Sequence, residues 1–283
     1  MRAGPISGLI FLGWVLSRPL PAQVPYPQGT VEIPVYPVAG PVFLSGESLH
    51  YEFSWNGLRA AEGEISVCPD PQAADRFHFQ GRSRTVGLAG KLWRMEDTVE
   101  AWSSSRNFKP TSYLLHLREP AIRYDREVIF DHAAGLAKSR RLGEGEVREL
   151  EFRNAFDPLS LLFVIRSLEW RAGEERRFEV IDGQERYLLV LRAVAEEEVK
   201  VPVGSFAAVK FIPALILLPR RLQGETPRFF ERLRRRESQR PALVKTLEFW
   251  MAKDPPRPVL RVRSEAWIGH VNMELIGRND QSP

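Results

Sequence analysis

The chain has 283 residues, of which 43% are hydrophobic and 27% charged. That is the balance of a globular protein with ample material for a core, and it excludes disorder over most of the length. No apolar run approaches the ~20 residues of a spanning helix, which excludes a helical membrane bundle. The single cysteine, Cys68, excludes an internal disulfide framework and a cysteine-rich zinc site.

Residues 1–22 read as a secretory signal. Arg2 gives a positive start, Ile6 to Leu16 is apolar, and Ala22 is a small residue suited to cleavage before Gln23. Export to the periplasm is therefore expected, with an uncleaved N-terminal anchor as the alternative reading of the same segment. Residues 23–42 follow, with Pro25, Pro27, Pro34, Pro37 and Pro41. Proline lacks the amide donor of a central strand, so this stretch reads as an extended linker.

From Leu49 the pattern has period two: Leu49, Tyr51, Phe53 and Trp55 against His50, Glu52, Ser54 and Asn56. Asn56-Gly57 supplies a tight hairpin turn and 59–67 returns as a strand. Further strands are expected at 76–83, 96–102, 110–117, 122–130, 136–141 and 146–152. After a break come 174–181, 184–194, 197–201, 205–216, 245–251, 258–267 and 269–276. Short turns between them argue for antiparallel pairing, and no helices intervene to build a βαβ series. Asp157 and Pro158 form a helix start before Leu159, Leu161, Leu162, Phe163, Val164, Ile165 and Leu168. Apolar nearly all round, the helix 158–168 is expected inside the sheet. The fold expected is mainly β: a strongly curved antiparallel sheet, an open barrel or β-spiral, wrapping one buried helix.

No nucleophile elbow, zinc-protease helix, phosphate loop or paired cysteines occurs, so no catalytic residue, metal ligand or cofactor is assigned. The five histidines are scattered and read as solvent-facing strand residues rather than metal ligands. Glu196-Glu197-Glu198 reads as a solvated turn, and Asp125 and Asp131 give no reason to be paired as catalytic carboxylates. Cys68, beside Pro69, reads as inert. Trp55, Trp93, Trp102, Trp250 and Trp267 are the candidates to line an apolar groove, although large rings also fill a curved sheet.

The order of landmarks resembles the DUF3108 family of exported bacterial proteins of unknown function. They are Gly46-Glu47-Ser48-Leu49-His50-Tyr51 with Trp55-Asn56-Gly57; Asp157-Pro158-Leu159-Ser160; Gly173 and Asp182-Gly183; Val201 to Phe206; Trp250 with Asp254; Pro258-Val259; and Ile268-Gly269. The resemblance implies one periplasmic β domain over 43–277, similar to lipoprotein carriers, then a polar tail at 278–283. It brings no established active site.

Segment 220–245 stands outside that pattern, with nine basic and three acidic residues. Phe229, Phe230 and Leu233 recur at helical spacing between Pro227 and Pro241. The reading is a basic helical insertion, either solvated or facing an anionic membrane or acidic envelope protein through Arg228, Arg232, Arg234, Arg235, Arg236 and Arg240. Nucleic acid is a poor partner for an exported protein. The function expected is a non-enzymatic envelope protein holding a lipid or other apolar ligand in the curved sheet. The alternatives are a structural or interaction module with a filled sheet, and an enzyme with an unrecognised site.

Overall fold

The computed structural model describes residues 32–38, 40–120, 123–224, 228, 244–266 and 269–280. The signal segment and most of the basic insertion, with Arg232, Arg234, Arg235, Arg236, Arg240 and Trp267, lie outside the described residues.

Fifteen strands form one sheet. The first eight are β1 (Glu47–Trp55), β2 (Leu58–Asp70), β3 (Ala73–Thr85), β4 (Glu96–Ser104), β5 (Pro110–Arg118), β6 (Arg123–Asp131), β7 (Leu136–Arg141) and β8 (Val147–Glu151). The others are β9 (Ala155–Phe156), β10 (Glu175–Ile181), β11 (Arg186–Val201), β12 (Gly204–Leu218), β13 (Val244–Ala252), β14 (Val259–Ala266) and β15 (His270–Asp280). Helix α1 (Gly87–Leu92) joins β3 to β4, and α2 (Pro158–Ser167) follows β9. Two meanders run outward from β1 and β15, which pair antiparallel with each other. Among the described residues only β9, against β10, is parallel.

The alternation read from β1 sets which face turns inward: Leu49, Tyr51 and Phe53 are buried. Asn56 and Gly57 carry positive φ, 49° and 81°, as a two-residue hairpin with the right twist requires. Inside the rolled sheet lies α2, every residue of it buried. Asp157 caps it, accepting from the amides of Leu159 and Ser160 at 2.8 and 2.9 Å. Phe163 stacks on Phe79 of β3 at 4.0 Å and meets Phe43 edge-on at 4.9 Å. The helix thus replaces the void that a strongly curved sheet would otherwise enclose.

The roll closes at a seam between the edge of β8 and β9–β10. The Glu151 amide donates to the Arg220 carbonyl at 2.8 Å. Buried Glu179 accepts from the amides of Arg153 and Asn154 at 3.0 and 2.9 Å and pairs with buried Arg186. A charged pair is tolerated here because its polar atoms replace the ladder bonds that the sheet edges lack.

Several expectations are corrected. Runs 184–194 and 197–201 are one strand, β11; a bulge between Ala193 and Ala195 breaks the alternation. Glu196, Glu197 and Glu198 therefore lie in β11 and not in a turn. Helix α1 is absent from the sequence reading, since GLAGKL is too short and glycine-rich to show a helical period. Residues 278–280 are not a free tail but the end of β15, Asp280 opposite Glu47. The described part of the proline-rich stretch is not a free linker either. Tyr36 packs on Phe178 at 5.1 Å, its hydroxyl takes the Arg177 amide at 2.9 Å, and Ile33 covers the outer apolar cluster of β11 and β12.

Candidate functional site

Strand register puts many connections at one end of the roll, here called the upper end. The β1–β2 hairpin, the β3–β4 connection with α1, and the turns β5–β6, β7–β8, β10–β11 and β14–β15 all lie there. So do the last residue of β12, Leu218, opposite Arg186, and the first of β13, Val244, opposite Ala266. Both attachment points of the basic insertion therefore belong to this end. Helix α2 is tied to the strands at both of its ends: Ser160 in its first turn meets Ser103 of β4 at 2.6 Å, and Arg166 in its last turn meets Glu47 of β1.

The upper end carries exposed apolar side chains. Leu58 is 72% exposed, Leu88 75%, Leu92 87% and Trp55 46%. Leu88 and Leu92 are four apart on α1 and share a face. Their helix buries none of its residues, yet it is firmly attached. The Val86 amide donates to the Ala60 carbonyl at 2.9 Å. Thr85 ties the base together, its hydroxyl donating to the Trp93 carbonyl at 2.8 Å and accepting from the Met95 amide at 3.0 Å. On the hairpin side, Asn56 Oδ1 accepts the His270 amide at 2.9 Å. Gly269 (φ +80°) is required there, since a Cβ would stand 1.8 Å from that oxygen.

Over the first turn of α2, against the middle of strands β1 to β5, lies a cavity of about 50 Å³ lined by Tyr51, Phe53, Val99, Tyr113, Leu159 and Met273, with Gly63 and Gly81 on neighbouring strands. The two glycines are needed by packing: a Cβ would come 2.8 Å from the Phe53 ring at Gly63 and 2.9 Å from Val99 at Gly81. The volume is roughly a third of the ~150 Å³ that admits a benzene ring. Burial shifts the ionisable groups nearby toward their neutral forms. Burial pushes Asp157 up to about 6 against its cap hydrogen bonds. It pushes Asp97 up to about 7, with the Glu119 charge adding to the shift and the Arg118 amide opposing it. Burial likewise raises the phenols of Tyr51 and Tyr113.

The tryptophans proposed for a groove are not gathered at this cavity. Trp55 and Trp93 belong to the upper end, the first exposed and the second half-buried. Trp102 faces outward from β4, stacked on His78 at 4.6 Å. Trp250 is buried but on the outer face, under Lys210 and bonded to Glu197. Trp267 lies outside the described residues. Sequence reasoning missed the residues that do line the cavity, because their inward direction is shared with the whole core. Of the basic candidates only Arg228 is described, and it is exposed.

Two clusters of catalytic residue types occur among the described residues. In one, Asp125 meets His116 and Arg118, each at 2.6 Å, on the surface of β5–β6; the other centres on Cys68. Cys68 is exposed rather than buried, its Sγ 3.9 Å from His78 Nδ1, and His78 Nε2 lies 2.8 Å from Glu100. It lies on the outer face of β2–β3–β4, and none of these residues lines a pocket described here. Desolvation and the Asp70 charge push the Cys68 thiol up, away from the reactive thiolate. His78 here joins Cys68, Glu100 and Trp102 across the sheet surface. No group of three or more metal-ligating side chains occurs among the described residues.

A rolled antiparallel sheet filled by a capped helix defines the class: a β-barrel-like protein. The chain belongs to the family described as protein of unknown function (DUF3108), whose model matches residues 50–276. Among solved structures it is similar to a β-barrel-like protein of the domain of unknown function DUF1849 from Brucella abortus. The identity is 6% over 84% of this chain and 98% of that one, with a TM-score of 0.51, a likeness of fold alone. A Bacteroides fragilis protein with a YmcC-like fold aligns at 10% identity over 85% of this chain and 98% of that one, with a TM-score of 0.36. No curated protein matches the chain.

Proposed function

We propose that this protein is a non-enzymatic, exported envelope protein that works as an interaction module, a filled scaffold presenting its upper end to an acidic partner or surface. The observation that carries this reading is the filled interior. Helix α2 and the rings of Phe43, Phe79 and Phe163 occupy the space a carried lipid would need. The cavity over α2, about 50 Å³, is far below the ~300–1,000 Å³ of small-molecule sites; the two pockets of about 380 Å³ are open polar hollows among Glu196, Glu197, Glu198 and Lys253 and among Arg118, Asp125 and Arg141, unsuited to an acyl chain. The basic composition of segment 220–245, attached at the upper end through β12 and β13, supports an acidic partner. Export rests on the apolar signal at the N-terminus.

A second reading is a carrier of an apolar group. It draws support from the hydroxyls of Tyr51 and Ser83, which line the cavity and have no hydrogen-bond partner among the described residues. Native mass spectrometry of the gently purified protein separates the two. The filled module gives the mass of the bare chain; a stoichiometric adduct of lipid mass would replace it with the carrier.

A further inference from the structure

We infer that α1 and the β1–β2 hairpin form a membrane-docking tip, with Leu88, Leu92, Leu58 and Trp55 entering the interface of an anionic bilayer. The inference rests on the interaction-module reading and names its partner.

Four large apolar side chains at one end of a fold are costly to leave in water, and a patch of this kind marks an interaction site. Their support is built for presentation. Helix α1 contributes nothing to the core, while three hydrogen bonds through Val86 and Thr85 hold it against β2 and β4. A stable protein partner needs ~800 Å² from each side, more than a six-residue helix and a hairpin offer. A bilayer interface accepts such a tip without shape complementarity, burying leucine and seating tryptophan at headgroup depth.

Charge selects the kind of bilayer. Arg59, Arg82, Arg84, Lys91 and Arg94 are exposed around the tip, facing Glu52, Glu62 and Glu96. Arg59 and Arg84 are tied to Glu52 and Glu62. Arg82, Lys91 and Arg94 make no ion pair among the described residues, nor does Glu96, which leaves an excess of two cations around the tip to meet lipid phosphates. Lys91 lies between Leu88 and Leu92 in sequence, where its stem covers apolar surface while the ammonium reaches outward.

The test is co-sedimentation of the purified protein with vesicles of phosphatidylglycerol and phosphatidylcholine, and with phosphatidylcholine alone. Quenching of tryptophan fluorescence by lipids brominated on the acyl chains is read in parallel. Binding to the anionic vesicles with quenching is expected. Leu88→Asp with Leu92→Asp should lower the partition roughly tenfold or more with an unchanged thermal midpoint, since neither side chain is in the core. Equal binding by that double variant overturns the inference, as does absence of wild-type binding. It also fails if binding is lost only with Arg234→Ser, Arg235→Ser and Arg236→Ser, which would assign the contact to the basic insertion. A protein that binds no vesicle yet carries no lipid by native mass spectrometry refutes the tip and leaves the filled module standing. A lipid adduct refutes the filled module instead.

Discussion

The carboxylate of Glu47 and the guanidinium of Arg166 lie 2.6 Å apart, each side chain 1% exposed, although 119 residues separate them in the chain. The pair joins the start of β1 to the last turn of α2. Arg166 also donates to the carbonyls of Arg257 and Pro256, at 3.1 and 2.9 Å, tying in the β13–β14 turn. Arg166→Met leaves a buried carboxylate alone and should cost about 3–5 kcal/mol. Glu47→Gln with Arg166→Met should recover part of that loss, not all, because the two carbonyls stay unpartnered. Urea midpoints of the single and double variants check this; a double variant no better than Arg166→Met would refute coupling of the pair.

Trimming α2 measures how completely it fills the sheet. Leu162→Ala and Ile165→Ala should each cost about 2–5 kcal/mol. Phe163→Ala should fall at about 3–5 kcal/mol, since its ring is fully buried and stacked on Phe79. Midpoints at the wild-type value would mean that the helix is not part of the core.

The buried carboxylates predict an unusual pH dependence. Asp97 is raised from 3.8 to about 7, and Asp157 from 3.8 to about 6. Across these windows the folded chain binds protons that the unfolded chain has released, so stability falls as pH rises. These groups contribute fully below about pH 4, and their contribution is lost above about pH 7 for Asp97 and pH 6 for Asp157. Asp97→Asn keeps the acceptor for the Arg118 amide and removes the charge. It should raise the thermal midpoint at pH 8 and change it little at pH 4. A variant that melts below wild type at pH 8 would show the ionised carboxylate to be stabilising.

The seam depends on Glu179, which accepts two backbone amides and pairs with Arg186. Glu179→Ala should destabilise the chain by about 3–5 kcal/mol by removing the carboxylate that faces the buried Arg186 guanidinium. Amide hydrogen exchange should rise first at Arg153 and Asn154. Unchanged protection there would assign closure of the roll to other contacts.

Export has a direct test. Mature protein released by osmotic shock should begin at or near Gln23 on N-terminal sequencing. A chain still starting at Met1 in the cytoplasmic fraction would exclude the signal.

Much of the fold was legible because it is local. Alternation in β1, the turn at Asn56-Gly57 and the cap at Asp157 each depend on neighbours within a few positions, and each stands in the structure as read. The all-apolar run from Leu159 to Leu168 placed a helix inside the sheet, since no surface suits it. What tertiary structure alone decided is where distant residues meet. Glu47 with Arg166 and Glu179 with the seam are pairings across the roll that no spacing announces. Exposure of Cys68, Leu88 and Leu92 was equally invisible, because an apolar residue carries no local sign of whether the fold will cover it. Whether the rolled sheet is hollow was decided by ring packing around α2, which depends on summed volume rather than on pattern.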